Sequence, residues 1–262
     1  MTRFERYVAI GDSSTEGLLD LDDQGEMHGW SFRLAERIAA AQGGLLYANL
    51  AARGATTRQI VTHQLGRALD MRPDLATIFS GTNDVLERHF DVLEFFQGVM
   101  GIQRSLRGAG ATVLTFTLPD LTPLLPLARA IAPRIREMND AVREACRETG
   151  TQLLDFAQLP LATDARLWDE DRIHANAAGH ERIAAALAQA LGLPGTNDDW
   201  RQPLSPLARS NPVTVAWLEI RWWLRHYVPW QVQGRRLGGE ANTFPGRRPA
   251  LEPVSARAAV SR

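Results

Sequence analysis

Four short polar segments carry groups that could transfer an acyl group. The first is Gly11-Asp12-Ser13-Ser14-Thr15-Glu16-Gly17, directly behind the apolar run Tyr7-Val8-Ala9-Ile10. Gly11 lets the chain turn sharply, so Ser13 could end a strand with its hydroxyl and N–H facing a crevice. Alone, the segment reads equally well as a polar turn or a helix cap. The second runs over 49–57, where Gly54 could bring a backbone N–H to a substrate. By itself it reads as a turn before a helix capped by Thr56. The third is Ser80-Gly81-Thr82-Asn83-Asp84, in which Asn83 offers an amide donor. Asn and Asp in a turn often bond only to their own backbone. The fourth opens Asp171-Arg172-Ile173-His174 and runs on to His180. A carboxylate three residues ahead of an imidazole can meet it across one turn, fix its tautomer and steady the imidazolium. Asp169 is an alternative partner that spacing alone does not exclude, but the one-turn reach favours Asp171. His180 reads as a helix-surface or packing residue rather than a second base.

Together the four segments supply a nucleophile, two or three donors for a developing oxyanion, and a base with its orienter. A serine hydroxyl attacks a carbonyl only if a base removes its proton, and the tetrahedral intermediate needs donors where its charge appears.

Something must bring these loops together. Before residue 195, strand-like and helix-like segments alternate. Strands are expected over 7–10, 45–50, 75–79, 112–118 and 152–155. Helices are expected over 30–41, 57–71, 92–107, 132–147 and 177–191. The strands are apolar runs rather than alternating patterns, as in a parallel sheet covered on both faces. Such βαβ repetition predicts a mostly parallel sheet with right-handed crossovers, whose strand carboxyl ends form the ligand crevice.

The chain has 262 residues, 45% hydrophobic and 23% charged, which excludes a disordered or collagen-like chain. Its one cysteine, Cys146, cannot form an internal disulfide. No stretch reaches about 18 apolar residues, so no membrane-spanning helix is expected. The N-terminal residues lack a leader's apolar core and small-residue cleavage site, and a cytoplasmic location is expected. All 29 basic residues are Arg, against 30 acidic ones. That balance gives no global attraction to nucleic acid, which is not expected as a partner.

The ordered set of segments resembles the signature blocks of the GDSL, or SGNH, hydrolase superfamily. The nucleophile block matches Gly11-Asp12-Ser13, with Ser14 where Leu is frequent. The family's glycine matches Gly54, its asparagine matches Asn83, and its Asp-x-x-His block matches Asp171 and His174. The resemblance covers about residues 5–192. It implies a flavodoxin-like three-layer α/β/α sandwich with a five-stranded parallel sheet. It also implies that Ser13 is the nucleophile, His174 the general base and Asp171 its orienter. The N–H groups of Ser13 and Gly54 and the side chain of Asn83 would form the oxyanion hole. No metal or organic cofactor is implied. Asp12 and Asp84 are expected to hold the nucleophile and asparagine loops. The activity implied is a serine esterase acting on small or medium acyl esters. Carbohydrate O-deacetylase, lysophospholipase and thioesterase are alternatives within the family, and a catalytically silent interaction module is one outside it.

Leu118, Pro119 and Leu121, in an apolar loop stiffened by prolines, are expected to wall the substrate pocket together with Trp168. Arg53 is the cation nearest the proposed site and could meet an anionic substrate group. The run 193–199 is rich in breakers, and a boundary is placed there, giving a hydrolase domain over 1–195 and an appendage over 196–262. Five of the seven Trp lie beyond it, with 10 Arg against five acidic residues. A helix is expected over about 213–228, followed by a tail that is exposed or tracks over the core. The segment from Trp217 to Trp230 could dock on the core, pair with another subunit, or lie on an anionic membrane surface.

Overall fold

The computed structural model describes residues 2–23, 25–205, 220–222, 224, 246 and 248–255. Five parallel strands form the centre of one sheet: β1 (Arg6–Gly11), β2 (Leu45–Asn49), β3 (Leu75–Phe79), β4 (Thr112–Phe116) and β5 (Gln152–Leu154). A sixth, β6 (Arg248–Val254), completes the order β5-β4-β3-β1-β2-β6. The chain leaves β1 for β2 on one side and then crosses back to β3 on the other. β1 and β3 therefore lie side by side at the switch point, where an open α/β sheet leaves a crevice beyond its strand ends.

Each buried strand feeds two cores because successive side chains point to opposite faces. Tyr7, Ala9, Leu75, Phe79 and Leu114 join Trp30, Leu34 and Ile38 of α2 (Gly29–Gln42) and Ala184 and Leu187 of α8 (Ala177–Ala190). Val8, Ile10, Ala76, Ile78 and Val113 face the other way. They meet Ile60 of α3 (Thr57–Ile60) and Ile102 and Leu106 of α6 (Val92–Gly108), against which α7 (Ala132–Thr149) packs. Two short helices complete the loops after β1 and β3: α1 (Ser13–Glu16) and α5 (Thr82–Leu86).

Two differences from expectation have clear physical reasons. The segment read as one helix over 57–71 is α3, a π-helical turn over Val61–Leu65, and α4 (Gly66–Asp70). The wider turn swings Gln64 into the interior, where it is fully buried. The sheet is mixed and six-stranded rather than five-stranded and parallel. β6 runs antiparallel to β2, pairing Leu45 with Val254 and Asn49 with Arg248 around an irregularity. It comes from the region expected to be an exposed tail or one tracking over the core. Pro249 and Pro253 are tolerated because this is an edge strand. Val254 is buried in the core, and the Arg248 guanidinium stands 4.3 Å over the Phe32 ring. Of the helix expected over 213–228, all but residues 220–222 and 224 lie outside the described residues. No helix among the described residues is long and apolar enough to cross a membrane.

Candidate active site

The loop after β1 is set by close packing and a cap. A Cβ at Gly11 would come within 2.5 Å of the Phe79 carbonyl oxygen, so only glycine lets β1 end so near β3. Asp12 caps α1, its Oδ1 accepting the Ser14 N–H at 3.0 Å. Ser13 opens the helix, its side chain directed across the crevice to a segment 161 residues away.

That segment is a small hairpin. Trp168 and Ala175 bridge antiparallel, and the Asp169 N–H donates to the His174 carbonyl at 2.8 Å. Asp171 lies inside it. One carboxylate oxygen accepts the backbone N–H groups of Ile173 and His174, each at 2.9 Å, and the other meets His174 Nδ1 at 2.6 Å. His174 Nε2 is 2.7 Å from Ser13 Oγ. Burial raises the Asp171 pKa, but the hydrogen bonds and charge of His174 outweigh it and hold the group below its ordinary value. Asp171 is thus a carboxylate at neutral pH, able to fix the imidazole with its Nε2 lone pair toward the serine. The hairpin is itself held: Asn176 caps α8 through Ala178 and Gly179, and its amide donates to the carbonyls of Arg166 and Trp168. Trp222 Nε1 donates to the Glu170 carbonyl at 2.8 Å, and the Arg172 guanidinium stands 5.0 Å from the Trp222 ring.

The second and third segments arrive from the other side. Gly54 takes φ +74° inside the turn closed by the Ala55 N–H on the Ala52 carbonyl, a geometry that favours glycine. The Asn83 amide donates to the Ala55 carbonyl at 3.1 Å and approaches Asp12 Oδ2 at 3.4 Å. It therefore sits between the neighbour of Gly54 and the neighbour of Ser13. Asp84 accepts the backbone N–H and hydroxyl of Thr57, tying the Asn83 loop to the start of α3. Burial pushes Asp12 up to about 7 and Asp84 up to about 6.

From Ser13 and His174 a cavity, open to solvent at its mouth, runs into the protein. Its walls include Phe79, Phe116, Phe156, Leu159, Leu167 and Ile183. Leu118, Pro119 and Trp168 line it too. Leu121 does not; it is buried in the core behind the loop. Arg53 also lies outside the lining, half exposed and 3.8 Å from the Glu16 carboxylate. His180 is fully buried, its Nδ1 accepting the Trp30 N–H at 3.1 Å, and burial pushes its pKa down to about 4. It is a neutral packing residue. Among the described residues no three His, Cys, Asp or Glu side chains are grouped to hold a metal ion.

Several contributors escaped the sequence reading. Phe79, Phe116 and Phe156 line the cavity, the last two with rings 5.3 Å apart, but they read as ordinary core residues. Gln64 clasps Gly11, its Oε1 accepting the N–H and its Nε2 donating to the carbonyl, both at 2.8 Å. No sequence signal marks the π turn that puts it there. A polar Gln among the apolar positions of a helix pattern was the available hint.

The sequence profile of the GDSL-like lipase/acylhydrolase family matches residues 9–182, a span that carries every one of these loops. The chain belongs to this family. It is therefore an esterase/lipase-type serine hydrolase of the carboxylic-ester hydrolase kind. Solved structures share the fold. LAE5, an alpha/beta hydrolase enzyme from the metagenome of Lake Arreo, Spain, matches at TM-score 0.60 and 23% identity, over 72% of this chain and 95% of its own. The psychrotrophic esterase EstA from Pseudoalteromonas sp. matches at 0.56 and 18%, over 72% and 97%. A mutant of Axe2, an acetyl-xylooligosaccharide esterase from Geobacillus Stearmophilus, matches at 0.59 and 19%, over 74% and 96%. None of the curated proteins matches this chain.

Proposed function

We propose that this GDSL-family hydrolase cleaves esters of apolar, small to medium acyl chains through a covalent intermediate on Ser13. The observation that carries the reading is the contact of Ser13 Oγ with His174 Nε2 at 2.7 Å, at the mouth of an apolar cavity. As Ser13 Oγ attacks the ester carbonyl, His174 Nε2 takes its proton. Asp171 stabilises the imidazolium formed. The tetrahedral intermediate collapses, the C–O bond to the alcohol breaks, and His174 returns the proton to the leaving oxygen. Water, deprotonated by His174, then attacks the acyl-enzyme, the acyl C–Oγ bond breaks, and His174 returns the proton to Ser13 Oγ as the acid leaves.

The oxyanion would be met by the N–H groups of Ser13 and Gly54 and by Asn83. One amide hydrogen of Asn83 is engaged by the Ala55 carbonyl at 3.1 Å, which orients the side chain. The other has only a long contact to Asp12, at 3.4 Å, and is the one left for substrate. The aromatic and aliphatic lining favours an acyl chain over an acetylated sugar, whose hydroxyls would lose water without replacement partners. Turnover of p-nitrophenyl esters of graded chain length tests the reading. Hydrolysis that is lost in both Ser13→Ala and His174→Ala, with chains beyond acetyl preferred, supports it. No hydrolysis of any ester by well-folded protein rejects it.

A further inference from the structure

We infer that Trp200 is the end wall of the acyl pocket and sets the longest chain this enzyme accepts. The inference rests on the esterase reading for its substrate, but on separate residues for its geometry. The apolar cavity that opens at Ser13 and His174 is also lined by Arg182, Ile183 and Trp200. Trp200 also lines a second cavity, bordered by Arg37, Glu181, Thr196, Asn197 and Asp199. Only Trp200 and Arg182 line both. The indole and Arg182 therefore stand at the border between an apolar chamber and a second, more polar one.

The wall is braced. Trp200 is buried, at 7% exposure, in a 3-10 turn over Asp199–Arg201. Its Nε1 donates to Gln189 Oε1 at 2.6 Å, so the indole's polar edge is tied to α8. The Phe156 ring meets it edge-on at 6.1 Å, and the Arg201 guanidinium stands 4.6 Å from the indole ring centre. Arg182 Nη1 donates to the Trp200 carbonyl at 2.7 Å and to that of Gln202 at 2.8 Å, anchoring the turn to α8. An indole with its N–H satisfied presents a rigid apolar face to a hydrocarbon chain. Residue 200 lies beyond the 9–182 span that matches the family.

The consequence is a length limit with a defined shape. Up to the wall, each methylene that leaves water strengthens binding by about fourfold. At the wall the gain stops, because further carbons must fold back or displace a braced indole. The space beyond opens to them only when the indole is removed.

The test is calorimetric titration of the full-length protein with straight-chain carboxylic acids from butanoate to stearate. These are the products of the proposed reaction, so binding is read without catalysis. The expected profile rises by about fourfold per methylene, reaches a maximum, and then levels or falls. In Trp200→Ala the maximum moves to longer acids. In Trp200→Phe, which keeps an aromatic ring beside Phe156 and guards against a variant that fails to fold, it moves by a smaller step. Affinity that climbs with no limit when Trp200 is present overturns the inference, as does an absence of chain-length dependence. So does an unchanged maximum in either folded variant. Matching p-nitrophenyl esters separate the two claims. Acids that bind with a Trp200-dependent limit while no ester is hydrolysed leave the wall standing and remove the esterase. Esters hydrolysed with no length limit do the reverse.

Discussion

Replacing Gln64 by Leu tests how the nucleophile loop is held. The Gln64 amide closes two hydrogen bonds of 2.8 Å on the backbone of Gly11, the last residue of β1 and two positions before Ser13. Leucine is of similar size, so little cavity forms, but both bonds go. The Gly11 carbonyl keeps the Ala52 N–H at 3.2 Å. The Gly11 N–H keeps nothing in its place, and a buried orphaned donor costs about 1–3 kcal/mol. Loss of the second bond adds about 1 kcal/mol, for a total near 2–4 kcal/mol. Urea unfolding should show that loss as a lower midpoint with an unchanged slope. Because the strand end also aims Ser13, kcat should fall more than KM rises. Gln64→Glu gives a control with a sign. Its ionised carboxylate cannot donate to the Gly11 carbonyl, whereas its protonated form can, so its stability deficit should shrink as pH falls. A deficit in Gln64→Leu below about 0.5 kcal/mol, the range of an ordinary surface change, would refute the reasoning.

Two further predictions concern the same crevice. Asn83→Ala should lower kcat by about a hundredfold or more, the cost of one oxyanion donor; an unchanged rate would remove Asn83 from the mechanism. Asp12→Asn should change how stability depends on pH. Burial raises the Asp12 pKa in the folded protein to about 7, above the ordinary carboxylate value of 3.8. The folded state therefore keeps a proton that the unfolded state has already lost. Its stability should fall as pH rises through that window and then level off. Asn keeps an N-cap oxygen and cannot ionise. Relative to the parent protein it should gain a few kcal/mol between pH 4 and pH 8 in chemical denaturation; parallel curves for the two proteins would contradict this.

The central sheet was legible because its strands are apolar runs, three of which lead into glycine-containing polar loops at Gly11, Gly54 and Gly81. The crevice was legible because acyl transfer needs particular residue types in a particular order along such a sheet. Asp171 and His174 stand three residues apart and need only a turn to meet. β6 was hidden because an edge strand needs no apolar run: residues 248–254 include two prolines, an arginine and a glutamate, and only Val254 is buried. Gln64 was hidden because a π turn has no compositional mark. The cavity was hidden because the rings that line it, Phe79, Phe116 and Phe156, are the same types that fill a solid core. Whether such rings leave a void depends on packing between distant elements, which periodicity does not encode.

Activation of Ser13 by His174 is tested most directly by treating the protein with a serine-directed phosphonate ester and mapping the adduct by peptide mass spectrometry. A single phosphonylated residue, Ser13, is expected, formed in step with loss of ester turnover and much more slowly in His174→Ala. An adduct on another serine, or equal labelling with and without His174, would contradict it.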